Sequence, residues 1–314
     1  MAIGALLLLS ADVARAQVSS DECCVELLEP LGARALALGH AIVARPGAGS
    51  LFTNPAAVAD ADADQLLVHT SKTVLGRSNT FSVLIHSEAI GTIGMTYRLI
   101  DLGELPATDD FGNVIGEISL LNHVLTATYA TRLATGLRAG LSYKLFQFRQ
   151  DCRGFCGVDA HAATSHLMDA GVQYRVPLVR DLEVGAALLH IGFPLQVVNA
   201  EQASPTPSRI RLGVAHEVLQ YVRPDSSIAL WLSGDVETAV RRPGAATLSI
   251  GAELAIEETI FLWLGYGGAT GLQGGAGIGV GLQYDRFRVG VAKSFVSSIV
   301  PDSDPFQVTF GIRF

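Results

Sequence analysis

The sequence predicts an all-β fold, a transmembrane antiparallel β-barrel of about fourteen strands with a short N-terminal helical plug segment ahead of it. Three observations predict it. From Gln65 onward apolar and polar residues alternate with period two. Hydrophobic residues make up 49% of the 314 residues and mean hydropathy is +0.36, yet beyond the first ten residues no apolar run approaches the eighteen or so that a membrane helix needs. The connections between the alternating segments sort by parity into short and long, as in barrels with short periplasmic turns and longer external loops.

The chain opens with Ala2-Ile3-Gly4-Ala5-Leu6-Leu7-Leu8-Leu9, an apolar run too short to anchor, followed by Ala14-Arg15-Ala16. That small-x-small pattern marks a signal-peptidase site, so residues 1–16 are expected to be removed and Gln17 to become the mature N-terminus. No Lys or Arg precedes the apolar run, so the natural start is expected upstream of Met1. Export would place Cys23, Cys24, Cys152 and Cys156 in an oxidising compartment, where pairing is expected. No lipobox-like stretch precedes Cys23 or Cys24, which argues against a lipid anchor; the vicinal pair itself has no explanation in the sequence.

Residues 17–64 differ in kind from the rest. Leu31, Ala35, Leu38 and Ile42 recur at helical spacing, and Asn54-Pro55-Ala56-Ala57 reads as a helix start with Asn54 as N-cap and Pro55 in the first helical position. A non-strand segment ahead of a barrel is expected in the lumen or at the periplasmic mouth, as a plug.

Residues 65–314 form the barrel, with strands expected near 65–71, 79–88, 90–98, 117–131, 136–149, 164–176, 181–191, 207–217, 226–237, 245–255, 259–267, 276–284, 286–295 and 305–313. The last is the clearest. Phe306, Val308, Phe310, Ile312 and Phe314 fall on one face and Gln307, Thr309, Gly311 and Arg313 on the other, an apolar-out, polar-in membrane strand. Even-numbered connections are tight, as at Glu88-Ala89, Ala134-Thr135, Glu257-Glu258 and Asp285-Arg286. The odd-numbered ones over 100–116, 150–163, 192–206 and 296–304 are long, and only 219–226 breaks the rule. A soluble β-sandwich also alternates, but its outer faces would be polar rather than lined with Leu, Val and Phe.

Candidate chemistry is sparse. The run Gly275-Ala276-Gly277-Ile278-Gly279-Val280-Gly281 could suggest a phosphate loop, but its glycines fall at period two on one strand face and no helix follows, so they read as a lumen wall left bare for the plug. Cys152 and Cys156, with His161 and His166 beside them, could bind zinc in principle; the oxidising exterior favours a Cys152–Cys156 disulfide over free thiols or a metal. Ser165 and His166 are adjacent, so a strand points them to opposite faces, and no G-x-S-x-G motif occurs. An enzyme is therefore not expected, nor a metal or cofactor. Arg138, Lys144, Arg175, Glu183, Arg209, Arg211 and Glu253 read as an internal salt-bridge lattice. A net charge of −8 argues against nucleic acid.

The segment Gly32-Ala33-Arg34-Ala35-Leu36-Ala37-Leu38-Gly39 followed by Asn54-Pro55-Ala56 resembles the N-terminal signature of PorV/PorQ proteins and their FadL-like relatives. Leu264-Gly265-Tyr266-Gly267, Gly274 to Gly281 and Phe310-Gly311-Ile312-Arg313-Phe314 are similar to that family's closing strands. Departures are His40 where a small residue is usual, Ala57 in place of glycine, and no acidic residue over Arg45 to Gly49. The resemblance implies a fourteen-stranded outer-membrane barrel whose plug motif is Gly32, Arg34, Gly39, Asn54, Pro55 and Ala56. Phe314 resembles the terminal aromatic read by the barrel-assembly machinery. Implied partners are outer-membrane lipid, that machinery, and a secretion-system or exported protein in the PorV/PorQ manner, as in type IX secretion. The alternative is FadL-like passage of long-chain fatty acids or other hydrophobic molecules. Modest external loops with few aromatics lean the sequence reading toward partner binding.

Overall fold

The computed structural model describes residues 21–73, 75–157, 160–197, 199–223, 226–244, 246–270, 273–296 and 304–314. The leader expected over 1–16, with the new terminus at Gln17, lies outside the described residues, as does most of the 296–304 connection.

Fourteen antiparallel strands close into one barrel. They are β1 (Gln65–Lys72), β2 (Arg77–Ser87), β3 (Gly91–Thr108), β4 (Val114–Ala134), β5 (Leu137–Gly154), β6 (His161–Arg175) and β7 (Leu182–Gly192). The chain continues through β8 (Arg209–Arg223), β9 (Ser226–Ala239), β10 (Thr247–Ile256), β11 (Ile260–Thr270), β12 (Gln273–Tyr284), β13 (Phe287–Val296) and β14 (Phe306–Arg313). Each strand pairs with its sequence neighbours, and β14 pairs back onto β1 with Val68 opposite Phe310. Within the belt, closure leaves no open edge.

The period-two pattern sorts the side chains as alternation requires. On β5, Leu141 and Tyr143 face outward while Arg138, Ser142 and Lys144 are buried. Leu212 and Leu264 are likewise more than half exposed on the outside, whereas Gln173 and Gln307 are buried within. An apolar outer belt around a closed antiparallel barrel is stable only against lipid, and this is the build of an outer-membrane protein.

The expected strands are all present, but their external ends differ. The 100–116 connection is mostly strand, since β3 runs to Thr108 and β4 begins at Val114. Its turn is an aspartate-capped loop. Asp109 Oδ1 accepts from Phe111 N and Asn113 N at 2.9 Å, and Asn113 Nδ2 donates to Oδ2. Those bonds from Asn113 hold the Asp109 carboxyl below its usual range. β5 likewise continues to Gly154, and β8 continues to Arg223, so 219–226 is largely strand rather than a long periplasmic loop.

At the external rim the flanking strands do not follow β3 and β5. β2 stops pairing with β3 at Asp101, and β6 stops pairing with β5 at Gln150. The outer parts of β3, β4 and β5 therefore stand above the rim as a three-stranded blade. A Cys152–Cys156 disulfide lies near its tip, with Cα atoms 6.1 Å apart.

The plug segment is less helical than the spacing of Leu31, Ala35, Leu38 and Ile42 suggests. Among its described residues the one α-helix, α1, spans only Ala33–Ala37. Three short 3-10 turns accompany it at Val25–Leu28, Ala48–Ser50 and Pro55–Val58. The same apolar residues are buried, but against the barrel wall rather than along a long helix face.

Candidate functional site

The described N-terminal residues begin at the external mouth and pass down through the lumen. Asp21 pairs with Arg242 at 2.6 Å, Glu22 with Arg209 at 2.8 Å, and Cys23 N donates to Pro205 O at 2.9 Å. Lower down, Gln307 binds both sides of Leu31. Its Oε1 accepts from Gly32 N at 2.7 Å and its Nε2 donates to Pro30 O at 2.6 Å. The segment leaves at the periplasmic end, where Asp60 pairs with Arg138 and Arg132 beside the β4–β5 turn.

Glu253 on β10 anchors the middle of the plug. It accepts from Arg34 Nε at 2.6 Å, Arg45 Nη2 at 2.5 Å and Trp263 Nε1 at 2.8 Å. Trp231 and Trp263, the two tryptophans of the chain, stand opposite Glu253 on β9 and β11. The Arg45 guanidinium lies 3.8 Å from the Trp231 ring centroid. Burial lowers Arg45 to about 10, which still leaves it charged near neutrality. Two cations share one carboxylate, and Arg45 also lies on an indole face, so much of their desolvation is offset at a single point.

The wall facing the plug is stripped of side chains in two patches. Gly251, Gly265 and Gly277 stand opposite one another across β10, β11 and β12, against Leu36 to Gly39. A Cβ at Gly265 would lie 2.2 Å from the Leu38 carbonyl carbon. Gly39 is held twice over, by a φ of +61° and by the Tyr266 backbone 2.4 Å from its own absent Cβ. The second patch is Gly140 and Gly171 against Asn54-Pro55, with Gly185 and Gly213 against Val43. The sequence reading of the bare Gly277 and Gly279 face thus has a physical counterpart, with Leu36 and Ala37 as neighbours.

An apolar chamber occupies the β3–β6 side of the external lumen, beside the buried polar pairs Glu26–Asn122 and Arg98–Glu29. Ile100, Val124, Phe146, Ala163 and Leu167 face inward from β3 to β6, and Leu195 folds in from the β7–β8 connection. Cys23 and Cys24, joined as a vicinal disulfide, pack into this chamber with Leu27. The lining continues up the inner face of the blade through Leu102 and Phe148, and cross-strand register places Leu105, Ile118 and Cys152 on the same face. The opposite face carries Glu117, Arg149 and Arg153 by the same register.

Around and below the chamber the lumen is polar. Lys144 pairs with Asp169 at 2.5 Å, Arg138 and Arg175 with Glu183, and Arg209 and Arg211 with Glu237. Two cavities, of about 60 and 40 Å³, remain beside the plug and share His40, Arg211 and Glu237 as lining. That space suits a few waters rather than an organic ligand. His40 holds Arg211 Nη2 at 2.9 Å, and burial, then Arg211, keep its imidazole well below the usual range, hence neutral.

Gly32, Arg34 and Gly39 thus meet β10 to β14, while Asn54, Pro55 and Ala56 meet β5 to β7. Asn54 caps Pro55–Val58 by accepting from Ala56 N at 3.0 Å. Ser165 faces the lumen and donates to Phe193 O, while His166 faces lipid, so the two form no nucleophile–base pair. His166 lies within β6 on the face away from Cys152. Sequence reasoning missed the apolar chamber, because the inward residues of β3 to β6 were read as uniformly polar. The break in alternation at Phe146 and Phe148 was the available signal.

No protein-family model and no curated protein matches the chain. Solved structures do share its fold. The Pseudomonas putida toluene transporter TodX superposes with a TM-score of 0.60 at 12% identity, covering 90% of this chain and 96% of that one. A Pseudomonas aeruginosa FadL homologue gives 0.58 at 10% identity, over 91% and 99%. The CymD monoaromatic hydrocarbon channel gives 0.57 at 12% identity, over 90% and 97%.

Proposed function

We propose that this barrel passes apolar small molecules across the outer membrane, with the N-terminal segment as its plug. The observation that carries the reading is the apolar chamber around Phe146 and Leu167. A water-filled porin lumen has no use for buried apolar side chains facing inward. Here they form a buried cluster at the foot of the blade's apolar inner face, and apolar lining is what a hydrophobic ligand needs. The chain's own Cys23–Cys24 and Leu27 fill the chamber, so cargo must displace them. The fold shared with a toluene transporter and a hydrocarbon channel supports the same reading, the alternative drawn from the sequence.

The test is uptake of a labelled aromatic hydrocarbon or fatty acid into proteoliposomes, comparing the natural chain with Phe146→Arg. Uptake above empty liposomes that the substitution abolishes is the expected result. Equal rates for empty liposomes and both proteins would sink the proposal.

A partner-binding role of the PorV/PorQ kind keeps one observation in its favour. Phe111, 91% exposed, and Phe155, 73% exposed, stand near the tip of the blade beside Val114. Exposed apolar tips suit protein docking. A stoichiometric protein co-purifying in mild detergent, and lost on Phe111→Asp with Phe155→Asp, would favour that reading.

A further inference from the structure

Two pairs of side chains on the lipid-facing surface play no part in the lumen. Between β3 and β4, Tyr97 Oη lies 2.8 Å from His123 Nδ1, with the rings stacked. Between β5 and β6, Tyr143 Oη lies 2.5 Å from His166 Nδ1. The register is the same in both. Each tyrosine stands two residues along its strand from the residue opposite the histidine, Leu99 for His123 and Leu145 for His166. One arrangement is therefore built twice on neighbouring hairpins.

A phenol that donates to Nδ1 leaves the imidazole proton on Nε2. Each ring then keeps one outward N–H donor, and no group among the described residues accepts it. Height on the barrel says what surrounds them. From Leu133, beside a periplasmic turn, to His123 is ten residues of β4. That is roughly 33 Å of strand, or about 25 Å of height at a tilt near 40°, the full apolar band. Register places Gln147 opposite His123 and Thr164 opposite Gln147, so His166 stands two residues along β6 from that row. The histidines thus stand where acyl chains end and headgroups begin. Tyrosine alone would serve as an interfacial anchor; a phenol-oriented imidazole adds a directed donor.

Basic groups flank them. Lys72 and Arg77 stand directly opposite each other at the external ends of β1 and β2, both exposed, and neither has an ion-pair partner among the described residues. Arg77 also stands opposite Asp101 on β3, so it has one like and one opposite charge as strand neighbours, and an anion bridging Lys72 and Arg77 would relieve the first. Arg77 and His123 are two strands apart and offset by two residues, as are His123 and His166, about 12 Å in each case.

We propose that this rim binds the phosphates of a bisphosphorylated outer-leaflet glycolipid, with one phosphate toward Lys72 and Arg77 and the other toward the Nε2–H groups of His123 and His166. The site is independent of cargo passage. The test uses the full-length folded barrel in phosphatidylcholine vesicles carrying lipid A, dephosphorylated lipid A, or phosphatidylglycerol. Lipid retained after extraction and the temperature at which the folded gel band is lost are both read. Lipid A alone should be retained and raise that temperature. His123→Ala with His166→Ala should cut retention about tenfold, the scale of one charge-assisted hydrogen bond, with the gel band in pure phosphatidylcholine unchanged. Tyr97→Phe with Tyr143→Phe, which frees the rings without removing them, should lower retention by less. Should the alanine pair fail to assemble, the phenylalanine pair decides alone. Equal retention of dephosphorylated lipid A, or no effect of either pair, overturns the proposal. Equal retention of phosphatidylglycerol also overturns it, as general attraction for anions.

Discussion

Asn54 occupies the space that a side chain on Gly171 would need, since a Cβ there would lie 2.0 Å from Asn54 Oδ1. The Asn54 amide donates to Val43 O and Val172 O at 3.0 Å and to Ala186 O at 3.4 Å. One side chain thereby ties the plug to itself and to the backbones of β6 and β7. On the lipid side of the same spot, Ala139, Ala170 and Ala186 line an apolar concavity of about 660 Å³. Small side chains thus leave the outer surface hollow where Asn54 meets the inner wall.

Gly171→Val should therefore force Asn54 out while leaving the barrel assembled. Each buried polar group left unpaired costs about 1–3 kcal/mol. The folded gel band should be lost at a lower temperature, and ion conductance in planar bilayers should rise as the plug loosens. Asn54→Ala removes the same bonds without the clash and should show a smaller shift of the same sign. Unchanged conductance in both would mean that the Asn54 contacts do not hold the plug.

Glu253→Gln removes the charge shared by Arg34 and Arg45. Both guanidiniums then stay buried without their counter-ion, a situation that costs about 3–5 kcal/mol. Plug release, read as protease sensitivity of the segment before Asp64, should increase sharply. Glu257→Gln in the exposed periplasmic turn is the control and should change nothing. A Glu253→Gln barrel as protease-resistant as the natural chain would show the ion cluster to be dispensable.

The barrel was legible because lipid outside and water inside impose alternation on every strand, so the β14 pattern of Phe306, Val308 and Phe310 could be read directly. The external strand ends were less so. Beyond the belt both faces of the blade meet water or a partner, the membrane no longer enforces the pattern, and Asp101 to Thr108 reads as loop. The plug's position followed from its having nowhere else to go, but its anchor did not. Glu253 is one lumen carboxylate among several, and only the fold brings Arg34, Arg45 and both tryptophans around it. The chamber escaped notice because Cys24, Phe146 and Leu195 are far apart in the chain.

Seating of the N-terminal segment should depend on pH through Glu26. Burial raises its carboxyl above the usual range, against the pull of Arg98, and Asn122 Nδ2 donates to it at 2.5 Å. A carboxyl whose value is raised in the seated state takes up a proton on seating. Its contribution therefore favours seating at low pH and is lost as pH rises from the usual carboxylate value through the raised one. Protection of residues 21–29 from protease should fall over that window, and Glu26→Gln should flatten the profile. A profile equally steep in Glu26→Gln would assign the titration to another group.

Deletion of Phe314 separates two roles that a terminal aromatic can have. Its backbone N–H donates to Asp64 O at 3.0 Å, which helps close the barrel where chain entry and exit meet. Its ring is 68% exposed on the lipid side, so its burial within the folded protein is worth under about 1 kcal/mol. If the ring matters only in the finished barrel, removing it should barely change the amount of assembled protein. If it is read by the assembly machinery, the effect should far exceed that small packing energy. We expect several-fold less folded barrel in the outer membrane, with unfolded chain accumulating in the periplasm. Phe314→Tyr, which keeps an aromatic terminus, should restore assembly where Phe314→Ala does not. Refolding of purified chain into detergent should proceed alike in all three, because that reaction involves no machinery. Equal membrane levels for the deletion and the natural chain would leave Phe314 as one more lipid-facing ring.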